Sequence, residues 1–141
     1  MLDEIGFFDE RFYMYCEDVD LSFRAQRAGY RCVYAPRAVV RHRLSATGGG
    51  VLASYQCGRN FIWLLALDVP GMAWRRYGAR FVRMQARLAI DALCHFRESS
   101  ARARLRGQIG GLLTAPRLLA ERRRSVANQR VSDAYVLGLL T

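Results

Sequence analysis

Phe8-Asp9-Glu10-Arg11-Phe12-Tyr13-Met14-Tyr15-Cys16-Glu17-Asp18-Val19-Asp20-Leu21-Ser22 is the stretch that decides how this chain reads. It sets three carboxylates, Glu17, Asp18 and Asp20, directly behind a run of aromatics and at the start of a helical pattern. Acids in a first helical turn suit the positive end of the helix dipole, so capping alone accounts for such a cluster. A carboxylate in the same place is also positioned to accept a proton. A calcium loop of the EF-hand kind is excluded, because Phe23 stands where that loop needs Gly and Gly29 where it needs Glu.

Working outward, residues 1–16 read as a turn-rich opening with Gly6 and clustered aromatics. Glu17 to Ala28 reads as a helix, with Val19, Leu21, Phe23, Ala25 and Ala28 as its apolar contacts and Gly29 as its stop. Residues 30–34 and 38–42 read as two short strands separated by Ala35-Pro36. Ala46-Thr47-Gly48-Gly49-Gly50 reads as a loop and as the boundary between a first part, 1–50, and a second, 51–141. The second part reads as helical throughout, with segments at 51–67, 72–97, 101–113, 116–124 and 132–140. Gly107, Gly110 and Gly111 are expected to weaken the third of these. Within 72–97, Arg76, Arg80, Arg83 and Arg87 form one basic face, and Tyr77, Phe81, Met84 and Leu88 repeat the spacing one residue on. That is a basic amphipathic helix.

Composition narrows the classes. A hydrophobic fraction of 52% in 141 residues suits a packed core and argues against general disorder. The net charge of +10 is uneven: residues 1–42 carry −1 and residues 43–141 carry +11. All 22 basic residues are Arg. A GC-rich coding sequence and contact with phosphate or anionic lipid both give that bias, and composition does not separate them. Cys16, Cys32, Cys57 and Cys94 show no C-x-x-C spacing, so a zinc site is not indicated and reduced thiols are expected. The apolar run Phe61–Leu67 is far short of the ~20 residues that span a bilayer. The N-terminus lacks the basic and apolar regions of a signal peptide.

The stretch resembles the F-D-E-x-F-x-x-Y-x-E-D-x-D-L-S signature of family 2 glycosyltransferases, and of the rhamnosyltransferase-like group in particular. The resemblance runs through Gly6–Glu10, Tyr15–Ser22, Arg24, Gly29-Tyr30, Val39–His42, Tyr55 and Arg59-Asn60. Leu105–Leu112 and Glu121–Arg124 continue it less specifically. It implies an α/β fragment, the C-terminal portion of a GT-A nucleotide-diphospho-sugar transferase fold, followed by a mainly α-helical tail. It implies inverting transfer from a nucleotide-sugar donor to a glycan or lipid-linked acceptor, as in bacterial cell-envelope polysaccharide assembly. A hydroxyl is a poor nucleophile near neutral pH, so a carboxylate must take its proton during attack.

By position in the motif, Asp18 would be that base, with Glu17 beside it shaping the acceptor pocket. Asp20 would fix the loop or bind substrate. Tyr55, Arg59 and Asn60 would line the mouth and contact substrate phosphate, with Gly48–Gly50 as a flap. His42 would be one ligand of Mg²⁺ or Mn²⁺, together with ligands this chain does not supply. Asp18-Val19-Asp20 is itself read as a decoy of the family's D-x-D metal motif, because an aromatic turn precedes it instead of a buried strand.

The donor-binding half that the family places first is not in this sequence, so the chain alone is expected to be inactive. The expected location is cytoplasmic, peripheral on the inner face of the membrane. Among functional readings of the basic helix, an anionic membrane surface ranks first. Nucleic acid ranks last, since no recognised binding motif accompanies the charge. The competing reading is a non-catalytic basic helical module that binds a membrane surface or a protein partner.

Overall fold

The computed structural model describes residues 1–41, 49–126 and 129–139. In order they form α1 (Leu2–Ile5), a 3-10 turn (Glu10–Phe12), α2 (Glu17–Arg27), α3 (Val51–Leu67), α4 (Gly71–Cys94), α5 (Ser99–Val126) and α6 (Asp133–Gly138). No strand occurs among the described residues.

This corrects the expected α/β character for those residues. Val33, Tyr34, Val39 and Val40 have the β-branched and aromatic character of strands, yet each is at least 80% exposed. A two-stranded pair needs an apolar face covered and its outer backbone groups paired. Nothing among the described residues supplies either, and the segment forms a turn at Pro36, where Ala38 N donates to Ala35 O at 3.0 Å. Residue 42, the end of the second expected strand, lies outside the described residues, as do residues 43–48 of the expected loop.

The helices follow the local signals more closely. α2 starts on Glu17, carries three acids in its first turn and gives way to Gly29 at φ +86°. α3 spans the expected range, and α4 begins directly after Pro70. The expected helices at 101–113 and 116–124 are one continuous helix, α5, with Pro116 inside it. Proline removes one N–H from the ladder. Two residues before it, the Thr114 hydroxyl bonds Gly110 O at 2.8 Å and Gly111 O at 3.1 Å while accepting Trp63 Nε1–H at 2.7 Å.

The framework is the close crossing of α3 and α5. A Cβ on Gly107 would stand 2.1 Å from Tyr55 O, and one on Gly58 would stand 2.5 Å from Arg104 O. These glycines let two backbones approach where any side chain would hold them apart. Gly107 therefore serves packing, a role that its cost to helix propensity did not suggest.

Two apolar clusters grow on this framework. Phe12, Ala66, Leu67 and Leu118 form one, with Trp63 edge-on to Phe12 at 5.9 Å. Leu65, Val69 and Ala73 form the other, with Trp74, Tyr77 and Phe81 against them. Burying the Phe, Leu and Val side chains among them contributes about 1.5–3 kcal/mol each. Phe12 belongs to the first expected part and its partners to the second, so one core runs across residue 50.

Candidate functional site

Tyr13, Tyr15 and Cys16 all take left-handed backbone conformations, at φ +62°, +66° and +70°. None is glycine, and each such residue costs on the order of 1 kcal/mol. Strain on this scale persists only where surrounding structure enforces it, and here it lies directly before Glu17, Asp18 and Asp20.

Asn60 does the enforcing. It is fully buried on α3, under the aromatic loop. Its Nδ2 donates to Phe12 O at 2.7 Å, Met14 O at 2.8 Å and Tyr15 O at 2.9 Å. Its Oδ1 accepts Arg59 Nε–H at 2.9 Å, which orients the amide. The Arg59 guanidinium also donates to Arg11 O at 3.0 Å and lies 4.2 Å over the Trp63 ring. Tyr55 stands one turn earlier, with its ring 5.6 Å from the same guanidinium. The structure thus brings Tyr55, Arg59 and Asn60 together beneath the loop, and the Arg59 and Asn60 side chains are engaged with protein carbonyls.

Above this clamp the three carboxylates have different surroundings. Asp18 is exposed, and its Oδ1 accepts Val19 N–H at 2.9 Å. Glu17 is half-buried, and its Oε2 is shielded from solvent with no hydrogen-bond partner among the described residues. Asp20 is buried and takes Arg24 on one oxygen at 2.8 and 2.9 Å. Arg24 in turn donates to Ile5 O and Phe7 O, both at 2.6 Å, and so ties α2 to the chain's opening turns. Burial pushes the Asp20 carboxyl up, against the pull of Arg24.

The Cys16 thiol is pushed up to about 11 by burial, and the neighbouring Cys57, Asp18 and Glu17 add to it. A thiol so raised stays protonated near neutral pH and is no nucleophile. Among the described residues, no three His, Cys, Asp or Glu side chains come together to hold a metal ion. His42 lies outside the described residues.

The sequence reading missed a pocket of about 370 Å³ beside α2, lined by Gly6, Phe8, Asp9, Arg11, Asp20, Arg24 and Asp68. Arg11 forks onto both oxygens of Asp9 and reaches Glu121 of α5 at 2.6 Å. Burial alone would raise Asp9, but its hydrogen bonds from Arg11 outweigh this and hold it below the usual carboxylate range. Asp68 goes the other way: burial, then the charge of Asp20, pushes it up to about 8 despite Arg27 nearby. Arg27 is buried and donates through Nη2 to the Asp68 carbonyl. Asp68 lies directly after the helix expected at 51–67 and was not among the expected site residues. Its one sequence signal is a charge closing the apolar run Phe61–Leu67.

The chain is similar to N-acetylglucosaminyl-diphospho-decaprenol L-rhamnosyltransferase of Mycobacterium tuberculosis, in strains CDC 1551 / Oshkosh and ATCC 25618 / H37Rv. Identity to each is 34% over 103 residues, 73% of this chain. The chain spans about a third (33%) of the length of these curated relatives. No family model matches it. No solved structure matches it.

Proposed function

We propose that this chain, related in sequence to the rhamnosyltransferase-like glycosyltransferases, forms the acceptor side of an inverting glycosyltransferase that uses a lipid-linked acceptor. The observation that carries the reading is Asp18 in the first turn of α2, directly after a strained loop locked from below. Its carboxylate is exposed at the first turn of α2, behind a loop with three residues of positive φ that Asn60 holds through the Phe12, Met14 and Tyr15 carbonyls. Holding a base in a fixed place is what proton abstraction from a hydroxyl requires, because misplacement costs rate steeply.

Asp18 takes the acceptor proton as the hydroxyl oxygen bonds to the anomeric carbon and the nucleoside diphosphate leaves with the electrons of its bond. Glu17, half-buried beside Asp18, shapes the acceptor pocket. Arg59 and Asn60 act by positioning the loop. A divalent cation is not accommodated by the described residues alone, and no step is routed through one. Donor binding belongs to a nucleotide-binding part beyond the helices described here.

The row Arg76, Arg80, Arg83 and Arg87 is exposed on α4 and supports contact with an anionic membrane surface on its cytoplasmic side. No helix among the described residues is long and apolar enough to cross a membrane. The non-catalytic membrane-binding module remains the competing reading. Asp18→Asn in the enzyme that contains this chain separates the two. Loss of rhamnosyl transfer by about 10²-fold or more, with donor binding retained, is expected for a base. Full transfer activity would remove Asp18 from the chemistry.

A further inference from the structure

Every residue from Arg31 to Arg41 is exposed. Val33 (80%), Tyr34 (85%), Val39 (87%) and Val40 (85%) are the most exposed large apolar side chains among the described residues. Among those residues, the one backbone hydrogen bond within 31–41 runs from Ala38 N to Ala35 O and closes the turn at Pro36. The segment nonetheless leaves the body from a fixed point. Tyr30 N donates to Ala25 O at 3.0 Å, and the Tyr30 hydroxyl donates to Glu4 Oε2 at 2.5 Å. Unpaired backbone groups are a template for strand pairing, and uncovered apolar side chains mark an interaction site. Here both fall in one stretch.

The order of the residues selects the kind of partner. Val33 and Tyr34 are adjacent, as are Val39 and Val40. In a strand, adjacent side chains point to opposite faces, so burying both members of a pair requires cover on both faces. A bilayer surface or one docked helix covers a single face and leaves one member of each pair in water. A sheet with layers on both sides covers both, and its inner strands read as continuous apolar runs, as Cys32-Val33-Tyr34 and Ala38-Val39-Val40 do. Charge argues against a second copy of this chain as the partner. Residues 31–41 hold Arg31, Arg37 and Arg41 and no acid, so pairing two copies brings like charges together. The relatives have polypeptide enough for such a sheet, because the matched region is 33% of their length.

We propose that residues 30–34 and 38–41 dock as strands into a sheet covered on both faces, in the nucleotide-binding part of the enzyme. The inference rests on the glycosyltransferase reading above and deepens it by naming the surface through which the acceptor side joins the donor side. α2 ends at Arg27, directly before this segment, so docking also sets where Asp18 stands relative to the donor.

Hydrogen exchange read by mass spectrometry, on this chain alone and on the enzyme that contains it, tests the proposal. Amides of residues 31–34 and 39–41 should exchange about a hundredfold or more slowly in the enzyme than in the chain alone. Cys32 is exposed in the chain alone, and its alkylation should slow in parallel. Val33→Asp and Tyr34→Asp should each restore fast exchange in both arms, because the two side chains face opposite layers. Both side chains are exposed in the chain alone, so there the same variants keep the helical circular dichroism of the parent. In the enzyme, α3 and α5 amides that stay slow show loss of docking without loss of folding. Val33→Ala and Tyr34→Ala give the same comparison where an acid unfolds the whole enzyme.

Fast exchange of 31–41 in the enzyme overturns the proposal. So does sensitivity to a change at only one of Val33 and Tyr34, which is the mark of a one-faced partner. Protection of the chain alone that grows with its concentration assigns the segment to a second copy. Equal protection by phosphatidylglycerol vesicles assigns it to a membrane surface, and either result also overturns the proposal. Asp18→Asn leaves exchange of the segment unchanged and is read in transfer, so the base and the docking surface fail separately.

Discussion

Asn60 offers the sharpest test of how the carboxylate loop is held. Replacing it with Ala removes an amide whose two hydrogens serve three carbonyls at 2.7, 2.8 and 2.9 Å. The bond to Phe12 O is buried, but that carbonyl keeps the Met14 N–H at 2.7 Å, so its loss costs about 0.5–1.5 kcal/mol. Those to Met14 O and Tyr15 O are partly buried, where water can replace the donor, so each costs about 0.5–1 kcal/mol. The sum is a loss of about 1.5–3.5 kcal/mol, a large fraction of ordinary domain stability. Asn60→Asp should be at least as damaging despite its equal size, because it turns a carboxylate oxygen toward three carbonyl oxygens.

The assay is urea unfolding of parent, Ala and Asp forms, together with limited proteolysis within residues 12–16. Both variants should lower the midpoint, and the loop should become the first site cut. If Asn60→Asp unfolds within about 0.5 kcal/mol of the parent, as an ordinary surface change does, the clamp does not hold the loop and the reasoning fails.

Other expectations follow from the same geometry. Gly107→Ala should destabilise by about 1–3 kcal/mol, because its Cβ would stand 2.1 Å from Tyr55 O. Gly110→Ala, whose Cβ meets nothing closer than 3.5 Å, should instead stabilise by up to about 1 kcal/mol, and thermal melts of the pair decide this. Asp68 is raised from 3.8 to about 8, so the folded chain holds a proton there that the unfolded chain has released. Its contribution is therefore fully favourable below about pH 4 and is lost as pH rises to about 8. Urea midpoints of the parent should fall across that window, and Asp68→Asn should flatten the fall; an unchanged slope would refute the assignment. Cys16, half-buried and pushed up to about 11, should alkylate far more slowly at pH 8 than exposed Cys32 and Cys94, as peptide mass mapping will read.

The reading of Glu17–Ser22 as a helix start survived folding because its signals are local. Acids in the first turn and Gly29 at the end act within a few residues, whatever the rest of the chain does. The Arg76, Arg80, Arg83, Arg87 spacing likewise carried over to an exposed face of α4. Residues 30–34 and 38–41 have strand composition and form no strand, because a strand is stabilised by partners distant in sequence. The helices expected at 101–113 and 116–124 are one, because α5 continues through Pro116 on long-range packing: Leu118 is buried against Phe12, Ala66 and Leu67.

The sequence by itself determined where α2, α3 and α4 form and which face of α4 is basic. It also singled out Glu17, Asp18, Asp20, Arg59 and Asn60 as the residues to watch. Hydrophobic period and end signals operate over one or two turns, so they can be read before anything packs. Only the tertiary structure decided what those residues do to one another. Asn60 lies 45 to 48 residues from the carbonyls it holds, and Gly107 meets Tyr55 across a separate helix. An apolar groove left between α3, α4 and α5 is likewise a property of their relative placement. Contacts of that range depend on how whole elements settle against each other, and no local pattern in the chain encodes them.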